Sequence, residues 1–213
     1  MGVALVCGLW LCGCSSDGGD WEQIYKVAKA SWAGDSTAVT LQQASATPYA
    51  SLGLRVGGGP ETIVVLATDQ NERLLWTSAA KIAIETENGR IVRSAGFPGD
   101  VNAVVFRGAD PLALFAQGER HPQTTTRTMD FNDLDVFGVS VRCDMTDDGP
   151  ETITILGTGI ETNKLSETCQ SDQLDWTFKN VFWMGKSGLV WKSIQYIHPK
   201  SEPLTVELLR PPG

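Results

Sequence analysis

Leu11-Cys12-Gly13-Cys14 is the stretch whose residue types and spacing specify a reaction most directly. An apolar run, Val3–Leu11, leads into it, and a Gly/Asp/Ser-rich segment, Ser15–Asp20, leaves it. Leu at −3, a small residue at −1 and Cys at +1 form the end of an export signal. Small side chains let a peptidase reach the backbone, and Cys14 becomes the new N-terminus. Its thiol is then the nucleophile that takes lipid. Diacyl plus N-acyl chains exceed the two that stable anchoring needs, at roughly 0.8 kcal/mol per buried CH₂. The run holds no Lys or Arg and is short for a signal of ~15–30 residues. The expectation is a signal over 1–13, cut short at its start; the alternative is a buried apolar N-terminal strand. A membrane-spanning helix would need ~20 apolar residues. Ser15 and Ser16, rather than Asp, follow Cys14, which favours passage to the outer membrane.

The remaining cysteines fit an exported chain. Cys7 and Cys12 leave with the signal, and Cys14 takes lipid. Cys143 and Cys169 remain as an even pair in a compartment that permits disulfides. A bridge between them closes a loop of about 26 residues, worth roughly 3 kcal/mol in the chain-entropy model. The alternative is two unpaired thiols on separate strands. No metal site and no cofactor are expected: the two histidines, His121 and His198, each precede proline and lie far from either cysteine in sequence.

Other chemistry is sparse. The chain has no Gly-x-Ser-x-Gly elbow, no His-Glu-x-x-His, and no phosphate loop with a lysine. Asp144, Asp147, Asp148 and Glu151 do not have the spacing of a calcium loop and read as a solvated turn. Asp130, Asp133 and Asp135 are close together as surface charge rather than a glycosidase pair. An enzyme is not expected. The net charge of −8, with both signs interspersed, argues against nucleic acid. Seven tryptophans recur along the chain. Trp176, Phe178 and Phe182 alternate onto one face of a strand, with Trp183 and Val181 on the other. On the next strand Trp191 shares a face with Leu189 and Ile197, and Tyr196 with Val190 and Ile194. If exposed, Trp176, Trp183 and Trp191 would stack against sugar rings; the bland alternative is core packing. Trp183, flanked by Lys179 and Thr177, is the member expected to be exposed.

The elements that position these residues follow from periodicity. Residues 14–19 form a tether, and 20–213 a single β-rich domain. Asp20 caps a helix with Gln23 three residues on. Trp21, Ile24, Tyr25, Ala28 and Trp32 mark one face of that helix, which ends at Gly34. Nearly everything later reads as short strands between turn signals: Val39–Gln43, a strand ending at Gly57-Gly58-Gly59-Pro60, Thr62–Thr68, and Leu74–Thr77. Ile82–Glu87 and Arg90–Ala95 flank Asn88-Gly89, a type I′ hairpin pair. Val101–Phe106 follows, and Asp110-Pro111-Leu112 starts a turn or short helix to Ala116. Thr124–Phe131 reads as an edge or outward-facing strand. Val136–Met145 is turned by Asp147-Asp148-Gly149-Pro150 into Thr152–Gly157. Beyond Thr158–Ser171 come Leu174–Met184, Leu189–Ile197 and Pro203–Leu209. Gly59-Pro60-Glu61-Thr62-Ile63 repeats as Gly149-Pro150-Glu151-Thr152-Ile153. This is either the trace of a duplicated strand–turn–strand unit or two uses of one good turn. The fold class is all-β with one N-terminal helix.

Several segments in order carry a resemblance: Pro48-Tyr49-Ala50-Ser51, Ile63-Val64-Val65-Leu66, Trp76-Thr77-Ser78, Asn88-Gly89-Arg90-Ile91-Val92-Arg93, Asp110-Pro111-Leu112, Phe182-Trp183, Gly188-Leu189-Val190-Trp191-Lys192-Ser193-Ile194-Gln195 and Ile197-His198-Pro199. With the Cys14 motif and Arg210-Pro211-Pro212, the chain resembles the group 4 capsule polysaccharide lipoprotein family, the YjbF/GfcB family, nearly end to end. The resemblance implies a lipid-anchored protein of the outer membrane, facing the periplasm, encoded with exopolysaccharide or capsule secretion genes beside an outer-membrane β-barrel protein. It implies a large curved antiparallel meander sheet packed around or against the N-terminal helix, and it transfers no catalytic residues. The leading expectation is an accessory factor of capsule or exopolysaccharide export. It would dock on an outer-membrane β-barrel or another export protein, a sheet edge being a natural surface, with polysaccharide as a further candidate partner. The alternatives are a glycan-binding module using exposed aromatics and a carrier of acyl chains or lipoproteins.

Overall fold

Asn88 and Gly89 take φ of 51° and 82°, the left-handed pair that a type I′ turn requires. They join two strands of one large sheet. The computed structural model describes residues 38–70, 73–119 and 123–213. The expected signal, the Cys14 anchor, the tether and the Trp21/Trp32 helix lie outside them. In chain order the elements are α1 (Leu41–Ala46), β1 (Ser51–Val56), β2 (Thr62–Gln70), β3 (Arg73–Thr77), β4 (Ala83–Glu87), β5 (Arg90–Ala95), β6 (Ala103–Phe106), α2 (Pro111–Ala116), β7 (Gln123–Phe131), β8 (Val136–Ile155), β9 (Thr158–Ser171), β10 (Trp176–Gly185), β11 (Val190–Gln195) and β12 (Leu204–Arg210).

Among the described residues, the twelve strands form one antiparallel sheet in the order β5-β4-β3-β2-β1-β12-β11-β10-β9-β8-β7-β6. The chain meanders from β1 to one edge, crosses to the other at β6, and meanders back until β12 pairs with β1. The curl brings the two edges together, where Ser94 N–H donates to Val101 O at 2.8 Å. The result is a nearly closed barrel, as the all-β meander reading expects.

Two hairpins share a turn that the sequence reading did not single out. Asn132-Asp133-Leu134 and Asp172-Gln173-Leu174 each form one 3-10 turn, followed by Asp135 and Asp175 at φ 54° and 45°. Leu134 and Leu174 tuck onto the core beneath. Aspartate tolerates the left-handed conformation that closes each turn. By contrast, the Gly-Pro-Glu-Thr-Ile echo is no duplicated unit. Its first copy leads from a hairpin turn into β2, whereas its second lies within β8.

Other expectations are corrected. Val39–Gln43 is not a strand: Thr40 and Gln43 make a reciprocal capping box that opens α1. Asp147–Pro150 does not turn the chain. The register passes from Asp147↔Leu165 to Gly149↔Lys164, so the extra residue is a bulge and β8 runs on. Thr158–Ser171 is a full strand. β7 is not an edge, because β6 covers it.

The bulge flips the faces of β8. Before it, Val139, Val141, Cys143 and Met145 point inward, where Val139, Val141 and Cys143 join Leu52, Leu54, Trp76, Ile84, Phe131 and Val206 in the main core. Met145 packs with Leu165, Phe182 and Met184 beneath Leu112 and Phe115 of α2, a helix that Asp110 caps through Leu112 N–H. After the bulge, Ile153 and Ile155 instead cover Trp183 on the outer face. Burying each large side chain contributes roughly 1.5–3 kcal/mol, so the long β8–β9 hairpin is fastened at its base and near its tip.

Candidate functional site

Cys143 and Cys169 oppose one another on β8 and β9 and are joined by a disulfide, as expected. The aromatic residues do not form an exposed row. Trp176 is buried, stacked on Phe178 at 3.9 Å and edge-on to Phe131. Trp183, expected to be exposed, is 7% accessible. Its face is covered by Ile153 and Ile155, and Lys164 and Lys192 sit over the ring at 5.6 and 5.7 Å. The β8 bulge makes this cover possible, and strand alternation alone could not foresee it. Trp191 is half-buried. It sits where the β10–β11 register slips between Trp183↔Lys192 and Met184↔Val190. That slip also separates Val190, which packs on the Met184 side, from Ile194, which packs with Val181 on the Trp183 side. The expected shared face is therefore broken.

A buried ionic cluster was not anticipated. Arg90 of β5 reaches Asp110 through Nε and Nη2 at 2.7 and 3.0 Å. It reaches Glu167 of β9 through Nη1 and Nη2 at 2.8 and 2.9 Å. Arg127 of β7 donates to the same carboxylate at 2.9 Å and to Cys169 Sγ at 3.5 Å. Asn180 of β10 donates to Glu167 and accepts from Tyr196 N–H. Phe106 and Phe182 present ring faces to Arg90. Burial alone would raise the Glu167 pKa, but Arg127 and Arg90 outweigh it and bring it to about 2. Burial lowers Arg127, which has only the carboxylate it shares; Arg90 has two carboxylates, which outweigh its burial and raise it. Both guanidiniums remain charged. The signal was legible as a charged residue at an inward position: Arg127 alternates with Met129 and Phe131, and Glu167 with Leu165 and Cys169. Cys143, Glu167 and Cys169 offer three ligand atoms within 4.8 Å, but the sulfurs are joined and the carboxylate is held by arginines. The cluster ties α2 to strands far apart in the barrel and presents no nucleophile.

A second polar group has the residue types of a hydrolytic triad. His198 Nε2 is 3.2 Å from Asp133 Oδ1, and Ser201 Oγ is 3.4 Å from Nδ1. The assignment of roles fails on geometry. Nδ1 already accepts from Lys200 N–H at 3.2 Å. Gly99 packs so closely that a Cβ there would lie 2.3 Å from both Nδ1 and Ser201 Oγ. The histidine ties the β11–β12 loop to the first 3-10 turn.

Among the described residues a cleft of about 610 Å³ opens at one mouth of the barrel. Leu52, Trp76, Leu189, Trp191, Val206 and Leu208 supply its apolar walls, with Thr86 and Ser193 among them. Trp76 Nε1 is satisfied by Thr86 Oγ1 at 2.9 Å. Gln195 accepts from Ile91 N–H and donates to Gly89 O and Ser193 Oγ, which holds the Asn88-Gly89 turn as one wall. Such a cleft suits an apolar group with few hydrogen-bonding atoms.

A family model described as "Group 4 capsule polysaccharide lipoprotein gfcB, YjbF" matches residues 24–209. The chain is 27% identical over 164 residues to the "Uncharacterized lipoprotein YjbF" of Escherichia coli K12, covering 76% of each protein. It is 25% identical over 174 residues to the "Uncharacterized lipoprotein GfcB" of the same organism, covering 81% of each. The crystal structure of the hypothetical lipoprotein YmcC from Escherichia coli K12 has the same fold, with a TM-score of 0.67 and 22% identity over 90% of this chain and 96% of that one.

Proposed function

Because the chain belongs to the YjbF family of group 4 capsule polysaccharide lipoproteins, we propose that it is a non-enzymatic accessory factor in capsule or exopolysaccharide production. Cys14 anchors it by lipid to the outer membrane, facing the periplasm, and it works by contact with an envelope protein of the export machinery, an outer-membrane β-barrel above all. The observation that carries this reading is the family match over nearly the whole β domain, directly downstream of the Cys14 motif. The buried ionic cluster and the disulfide fit a rigid docking body, since they fix strands rather than leave reactive groups free. The test is metabolic labelling with a clickable palmitate analogue, wild type against Cys14→Ser, followed by membrane fractionation and measurement of exported polysaccharide. Label and outer-membrane recovery in the wild type, both lost together with export in the variant, are expected. Export unchanged by loss of the anchor overturns the reading.

The mouth cleft favours a second reading, a carrier that holds an acyl chain between Trp76 and Leu208. Titration with cis-parinaric acid checks it. Saturable fluorescence enhancement abolished by Val206→Glu supports the carrier, and enhancement unchanged by that substitution removes it.

A further inference from the structure

We propose that the mouth cleft takes a single-chain lipid whose head group is uncharged and bears hydroxyls, and that Asp69 selects that head against an anionic one. The proposal rests on the carrier reading of the same cleft and adds the class of lipid.

The strand register places the charge. Asp69 of β2 and Thr86 of β4 both oppose Leu74 of β3, and residues directly opposite in an antiparallel sheet share a face. Leu74 packs on the main core, and Thr86 bonds Trp76 inside the barrel. Asp69 therefore belongs to the inner face, one residue short of the end of β2. It lines the cleft and is exposed, which puts its carboxylate at the opening.

The polar groups of the cleft divide by depth. Trp76, Thr86, Ser193 and Val206 are buried. Thr86 Oγ1 accepts from Trp76 Nε1, and Ser193 Oγ accepts from Gln195 Nε2. These hydroxyls are engaged, so an alkyl chain can cover them without stranding a polar atom. At the rim, the side chains of Asp69, Asn88 and Ser187 have no hydrogen-bond or ion-pair partner among the described residues. Polar recognition is therefore confined to the opening, where a lipid head would lie. The volume of about 610 Å³ is within the roughly 300–1,000 Å³ of small-ligand sites, which suits one chain.

Charge then decides the head. Lys192 is the one cationic residue among the described residues that line the cleft. Its ammonium is on the outer face, 2.7 Å from Glu207 and over the ring of Trp183. No free cation of the lining is at hand to hold a carboxylate or phosphate, while Asp69 repels one. A hydroxyl-bearing head instead donates to the Asp69 carboxylate, a charge-assisted bond. It also exchanges bonds with the Asn88 amide and the Ser187 hydroxyl, which both donate and accept. An ammonium head only donates and would leave the Asn88 N–H groups unused.

The test compares two probes with the same fluorescent chain, cis-parinaric acid and its monoglyceride. Each is titrated into the purified full-length lipoprotein held in amphipol, at low ionic strength and about pH 8, where the acid is ionised. Saturable binding is expected, with the monoglyceride tighter by about fivefold or more. Asp69→Asn should bring the two affinities within about twofold, and Asp69→Lys should reverse their order. Equal affinities in the unaltered protein, a tighter acid, or a preference unchanged in Asp69→Lys overturns the proposal and leaves the carrier reading in place. Saturable binding of neither probe overturns both. The accessory reading is tested separately by Cys14→Ser and does not depend on either result.

Discussion

Arg90 and Glu167 are 77 residues apart in sequence and meet through two parallel hydrogen bonds of 2.8 and 2.9 Å inside the barrel. One belongs to the edge strand β5 and the other to β9, near the opposite side of the sheet order. The pair therefore spans the barrel, fastening to the interior an edge strand that is laddered on its β4 side. Asp110 on the same guanidinium extends the tie to the start of α2.

Glu167→Gln leaves two buried arginines facing one remaining carboxylate. Breaking such a pair costs about 3–5 kcal/mol, and urea unfolding should show a loss of that order. The acid behaviour follows the same group. Its folded pKa of about 2 is below the ordinary 4.5, so the unfolded chain takes up the proton first. The contribution is complete above 4.5 and is lost as pH falls toward 2. The unfolding midpoint should fall steeply across that window in the wild type and more shallowly in Glu167→Gln.

His198 gives a second pH dependence at a milder range. Burial lowers its pKa below 6.5, outweighing Asp133, while Lys200 lowers it further and Asp100 opposes. The folded protein favours the neutral ring, which donates to Asp133 and accepts from Lys200 N–H. The unfolded chain protonates first as pH falls, so stability present above 6.5 declines below it. His198→Asn should flatten that decline in urea midpoints measured on either side of 6.5.

The Cys143–Cys169 bridge spans 26 residues, and its loop closure corresponds to roughly 3 kcal/mol. Replacing both cysteines by serine should lower the thermal midpoint and the urea midpoint together. Thiol titration of the denatured wild-type protein should detect these two only after reduction. Detection without reductant would show that they are free.

Gly89 sits at φ +82°, and a Cβ there would lie 2.5 Å from Val190 Cβ. Gly89→Ala therefore meets both backbone strain and the wall of the mouth cleft. A loss of more than about 1 kcal/mol is expected, with reduced cis-parinaric acid binding if the wall shifts.

What the sequence by itself determined is local or periodic. Asn88-Gly89 forces its hairpin through its own φ angles, Asp110-Pro111 starts its helix, and period-two alternation marks most strands and one face of Val136–Met145. The ordered segments of the family resemblance carry the meander. The tertiary structure decided what depends on distant partners. Bulges at Asp148 and Trp191 each insert one residue, and one residue turns every later side chain to the opposite face. That is why Trp183 is covered rather than offered to a sugar. Arg127 and Glu167 stood out only as charges at inward positions; that they share one site with Arg90 and Asp110 follows from closure of the sheet. Closure also brings the β5 and β6 edges of the sheet together, where Ser94 bonds Val101 and Arg90 grips Asp110, contacts between residues that no local pattern links.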